Sequence, residues 1–156
     1  LHAAQSLKSD TEAVRVQVRG RRPTLVDGPF AEAREMIGGY FRGHPWNQEV
    51  RILVVDKTHP ATALLGDAFK IADEIYQFRQ WSRAAVDVLL SLDAGSVDLA
   101  ASGINRRDQD FALAWTRREE AGRVFYTALG HRPEVWDDLR FQRHLLEGIR
   151  WAMGHD

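Results

Sequence analysis

The nine residues Gly38-Gly39-Tyr40-Phe41-Arg42-Gly43-His44-Pro45-Trp46 constrain the fold more than any other stretch of the chain. Glycine admits positive φ and close approach of the backbone to a ligand. Pro45 drives His44 toward extended geometry. Such a segment is neither a helix interior nor a good strand, so it reads as a shaped loop presenting His44 and Trp46. Ala128-Leu129-Gly130-His131-Arg132-Pro133-Glu134 repeats the pattern directly after an apolar run. Two Gly/His/Pro loops at strand ends point to a site assembled on an α/β scaffold.

The remaining periodicities fill in that scaffold. Val14, Val16 and Val18 alternate with polar residues, Gly20 to Pro23 is a turn signal, and Thr24-Leu25-Val26 returns. The pattern predicts a β-hairpin over 13–26. Strands are expected at 50–56, 86–92, 111–115 and 123–129, with 116–122 as a hairpin connection and 93–110 as a long loop. Asp73-Glu74 lies between the apolar runs 69–71 and 75–78. Asp137 or Asp138 is placed to cap a last helix. Phe141, Leu145, Ile149 and Ala152, with Leu146 and Met153 beside them, form its expected apolar stripe.

A chain of 156 residues is one domain by length. Its net charge of −1 implies no electrostatic pull toward nucleic acid or acidic membranes. No apolar run is long enough to span a bilayer. The chain has no cysteine, which excludes disulfides, thiolate metal sites and a cysteine nucleophile. It begins at Leu1 without a signal-like segment. The expectation is a processed or truncated start; export is neither supported nor excluded, and the location is left open with the cytoplasm favoured.

The strings GGYFRGHPWNQEV, THPAT, DEIYQF and GRVFYTALGH occur in this order, ahead of a terminal amphipathic helix. Over roughly residues 35–153 they resemble the ThuA-like (trehalose utilisation) family. The resemblance implies a flavodoxin-like α/β fold, a three-layer sheet related to class I glutamine amidotransferases, and a role in sugar catabolism. It also implies that the first strands and helices of the sheet are missing here. An open sheet edge of that kind favours pairing with a second copy, a homo-oligomer. A second string, TLVDGPFAEAREMIGGYF, makes residues 1–41 similar to part of the YCII-related proteins marked by a DGPF motif, which have a ferredoxin-like α+β fold. The expected division is a YCII-like hairpin segment over 1–34 and a ThuA-like domain over 35–156.

His131 follows a strand and Gly130, and ligands of open α/β sheets gather at strand carboxyl ends. Imidazole titrates near neutrality and suits acid–base work. In the amidotransferases that the resemblance brings in, the last strand ends in a catalytic His followed closely by a Glu. Here His131 and Glu134 stand in that order with one extra residue between them. Amidotransferase chemistry itself is excluded, because its nucleophile is a cysteine. Glu74 is the second acid–base candidate, with Tyr76 on the same strand face. His44 and Gly39 in the glycine loop, Trp46 as an aromatic platform, Tyr76, His59 of the His-Pro pair and Glu134 are candidates for binding substrate.

Each candidate has a plainer reading beside it. His131 and His59 also suit loop packing, Trp46 a core plug, and Glu74 a solvated strand edge. His144, beside the helix stripe, reads as structural. The histidines lack the spacing of a metal motif, so no metal and no cofactor is expected. The first expectation is a carbohydrate-active enzyme acting on a disaccharide or keto-sugar, with no nucleic-acid or membrane partner. A non-catalytic sugar-binding or interaction module, or the remnant of a YCII-like small-molecule lyase or hydrolase, is the alternative.

Overall fold

The computed structural model describes residues 45–79, 81–118 and 121–155, and the backbone of 14–19, 22–27 and 119. Strands β1 (Val14–Arg19) and β2 (Arg22–Asp27) pair antiparallel, from Val14 opposite Asp27 to Arg19 opposite Arg22. This is the hairpin that the valine alternation predicts. It forms a two-stranded sheet of its own.

The main sheet has five strands: β3 (Trp46–Val54), β4 (Ala68–Ile75), β5 (Asp87–Leu92), β6 (Ala112–Glu119) and β7 (Gly122–Thr127). Their spatial order is β4-β3-β5-β6-β7, and every ladder is antiparallel. The described part of the molecule is thus a mixed α/β arrangement built on an antiparallel sheet. Connection length explains the difference from a parallel three-layer sheet. β6 and β7 are joined by two residues, 120 and 121, which close a hairpin but cannot cross over as a parallel pair requires.

Three strands run beyond their sequence expectation, among them β6, which continues to Glu119 and shortens the expected 116–122 connection to residues 120 and 121. β3 starts at Trp46, four residues before the apolar alternation, because Trp46 to Leu53 ladder against Ile75 to Ala68. β4 carries Phe69 to Ile71 and Asp73-Glu74 in one strand and ends at Ile75, so Tyr76 to Phe78 lie just beyond it. Pairing satisfies the backbone of these polar stretches, and local hydrophobicity does not report it. The core of the sheet is Ile52, Leu89, Leu90, Leu92, Leu113 and Ala114.

Helix α1 (Leu139–Ala152) begins where Asp138 accepts a hydrogen bond from the Arg140 amide, as the capping pattern predicts. Its buried face differs from the expected stripe. Phe141, His144 and Gly148 are buried, while Leu146, Ile149 and Met153 are exposed. The reason is close packing on β7. A Cβ added at Gly148 would lie 2.3 Å from the Phe125 ring, so the glycine lets helix and strand approach. His144 sits beside it, its Nδ1 2.9 Å from the Ala61 carbonyl and its ring edge-on to Phe125. Burial pushes its pKa down to about 4, so the imidazole is neutral and structural, as expected. Among the described residues no helix is long and apolar enough to cross a membrane.

Candidate functional site

The site forms where the end of edge strand β4 meets the chain leaving β7. Alternation along β4 turns Asp73 and Glu74 to opposite faces, and both are buried. Tyr76 follows directly. From the other side, Ala128 extends the sheet by donating to the Leu113 carbonyl, and the chain then turns at Gly130 with φ +106°. A side chain is strained at that φ, and here its Cβ would also meet Phe141 at 2.9 Å. His131 comes next and points back at β4.

Its two ring nitrogens both have partners. Nε2 lies 3.3 Å from Glu74 Oε2, and Nδ1 lies 3.1 Å from the Tyr76 hydroxyl. The same hydroxyl is 3.4 Å from Glu74 Oε2. With its proton on Nε2, the imidazole donates to Glu74 and its Nδ1 lone pair accepts from Tyr76. The cluster reaches the surface through His131, whose side chain is 36% exposed against 10% for Glu74. Burial, and then the neighbouring Glu74 carboxylate, push the Tyr76 phenol up to about 12. It therefore stays a protonated donor at neutral pH.

Further residues hold this arrangement. Asn47, opposite Glu74 in the β3–β4 register, donates from Nδ2 to Glu74 Oε1 at 3.2 Å. Its Oδ1 accepts from Arg132 Nε at 2.8 Å, and its backbone carbonyl accepts from Arg132 Nη2 at 3.0 Å. Asp73 accepts from the Gly130 and Arg132 amides, and Trp136 Nε1 donates to the Gly130 carbonyl. Sequence reasoning missed Asn47, Arg132, Trp136 and the role of Asp73. The signal for Asn47 lies only in cross-strand register, which a single sequence does not display.

The sequence candidates separate clearly. His131, Glu74 and Tyr76 converge. Trp46 does not: it is 1% exposed, edge-on to Phe111, with Nε1 donating to the Asp98 carbonyl. It fills the core and has no face to offer a sugar. His59 is also buried, its Nδ1 accepting from the Ala61 amide and its ring 4.9 Å from that of Trp151. Glu134 is exposed on a short 3-10 turn and takes no part in the cluster's hydrogen bonds. His44 and Gly39 lie outside the described residues, as does the expectation that His44 and His131 line one cleft. Among the described residues no group of three or more His, Asp or Glu is placed to hold a metal ion. Two shallow grooves occur elsewhere, one of about 520 Å³ beside Phe69 and Lys70 and one of about 310 Å³ beside Trp81 and Asn105. Neither is lined by Glu74, Tyr76 or His131.

An antiparallel sheet carrying a His–Tyr–Glu cluster at one edge defines an α/β protein with a candidate acid–base site. Residues 27–152 match the family described as ThuA, trehalose utilisation, and the chain belongs to that family. The matched stretch begins at Asp27, so it takes in the Asp27-Gly28-Pro29-Phe30 string that carries the likeness to YCII-related proteins. Among solved structures, a ThuA-like protein from Bacteroides uniformis ATCC 8492 is similar at 27% identity and TM-score 0.63, over 79% of this chain and 51% of that one. A ThuA-like protein from Parabacteroides merdae ATCC 43184 shares the fold at 23% identity and TM-score 0.53, over 94% of this chain and 50% of that one. The chain thus spans about half the length of these structures. No curated protein matches it.

Proposed function

We propose that the Glu74–Tyr76–His131 cluster performs acid–base chemistry on a sugar, in the catabolism of trehalose or a related disaccharide or keto-sugar. One observation carries the reading: a half-exposed imidazole lies between a buried carboxylate at 3.3 Å and a phenol at 3.1 Å. In that geometry Glu74 holds the Nε2 proton and orients the ring. Nδ1 is the basic atom. A sugar hydroxyl arriving on the exposed side takes the place of Tyr76 at Nδ1 and gives up its proton there. The displaced Tyr76 hydroxyl is then free to donate to a neighbouring sugar oxygen. The family description supports the substrate class. In this reading the described sheet is one part of a larger flavodoxin-like, amidotransferase-like three-layer domain over 35–156. His44 and Gly39 complete the sugar site, and residues 1–34 form a separate hairpin segment.

A specific observation supports the second reading, a sugar-binding module without turnover. Both ring nitrogens of His131 are already engaged within the protein, as in a group that only orients others.

Trp136, bonded to the Gly130 carbonyl, gives an optical probe beside the site. Its fluorescence is expected to respond to a disaccharide or its keto derivative, and calorimetry on the Trp136→Phe variant separates loss of the optical signal from loss of binding. Product formation is followed in parallel. Binding without turnover moves the assignment to the binding module, and no response to any sugar overturns both readings.

A further inference from the structure

Asp73 is fully buried at 0% exposure. A buried carboxylate is costly unless hydrogen bonds compensate it. Three backbone N–H groups do so. Gly130 N donates to Oδ2 at 2.7 Å, Arg132 N to Oδ1 at 3.0 Å, and Glu74 N to Oδ1 at 2.9 Å. Two of these amides flank His131, and the third belongs to Glu74. Peptide units are planar, so holding an amide holds the whole unit. Asp73 holds the peptide units 129–130 and 131–132. Trp136 Nε1 holds the unit between them, at 2.9 Å from the Gly130 carbonyl. Every peptide unit around His131 is therefore pinned, and the same carboxylate sets the start of Glu74.

The geometry points to Asp73 as the residue that positions His131 against Glu74 and Tyr76, an inference that rests on reading this cluster as the site. Asp73 touches no reacting group. It acts through the backbone, by fixing the distance between two side chains carried on different elements. The chemistry requires a carboxylate. An asparagine has one acceptor oxygen, and its NH2 would face one of the amides now bound. The loss falls on the Gly130–Arg132 turn, not on the strands.

The test is nuclear magnetic resonance of the full chain with Asp73→Asn. In the unmodified protein, cross-relaxation between the His131 and Tyr76 rings is expected. In the variant it is expected to vanish, and the Gly130 amide should exchange with solvent at least about tenfold faster. The Leu89 to Leu92 amides, in the central strand β5, should keep their protection. A persisting His131–Tyr76 contact overturns the inference. So does loss of protection in β5 in step with Gly130, which makes Asp73 merely structural. Should the variant not fold, exchange in the unmodified protein decides. The Gly130 and Arg132 amides are expected to be protected like those of β4, and exchange at free-peptide rates overturns the proposal. None of these readouts uses a sugar. Failure of the sugar reading leaves a positive result standing, and failure here leaves the sugar reading to its own test.

Discussion

His59 and His131 sit in loops that look alike in sequence and differ in the folded chain. Each follows a strand closely and has a proline within two residues. His59 faces inward: its Nδ1 accepts from the Ala61 amide, and its ring packs on Trp151. His131 faces a carboxylate and a phenol and is partly open to water. The first environment is aromatic and backbone-lined and uses the ring as packing. The second is made of ionisable and hydroxyl side chains within hydrogen-bonding distance of the ring. Loop chemistry, a glycine or a proline beside a histidine, thus tells where the chain turns and not what the imidazole meets.

Turnover is the harshest test of that contrast. On the proposed reading His131→Ala lowers sugar turnover by about 10²–10⁴-fold, the usual contribution of an acid–base group, with little change in melting temperature. His59→Phe should do the reverse, leaving turnover intact and lowering stability. Equal effects at both positions would erase the distinction.

Acid sharpens it next. Buried His144 has a folded pKa lowered to about 4 from 6.5. Between those values the unfolded chain binds the proton and the folded chain does not. Its contribution is therefore fully present above pH 6.5 and lost as pH falls toward about 4. The sum is of order 3 kcal/mol. Denaturant melts should show this slope, and His144→Phe should flatten it. A slope that survives the substitution assigns the linkage elsewhere.

Packing around that histidine supplies a smaller effect. Gly148→Ala places a Cβ 2.3 Å from the Phe125 ring, and overpacking of this kind costs about 1–3 kcal/mol. A neutral or stabilising result would show that helix α1 can slide on β7. The smallest expected change is at the helix start. Asp138→Ala removes the bond to the Arg140 amide and should cost about 1 kcal/mol in a thermal melt. At neither position should the His131–Tyr76 contact change.

Much of this was legible from local pattern. The valine alternation located the β1–β2 hairpin, the apolar run located β5, and Asp138 marked the start of the helix. His131, Glu74 and Tyr76, which the structure brings together, were legible as candidates because strand ends, alternation and the family resemblance singled them out. Strand period 2 and capping depend on neighbours in sequence, so the sequence by itself determined them. Only the tertiary structure decided the rest. Trp46 went to the core because β3 extended through it to pair with β4. The helix buried His144 and Gly148, not Ile149 and Met153, because Phe125 of another element had to fit against it. Asn47, Arg132 and Asp73 joined the site through antiparallel register and through a turn 57 to 85 residues away in sequence. Those contacts are made between segments whose approach is set by the packing of the whole sheet, and no local window contains that information.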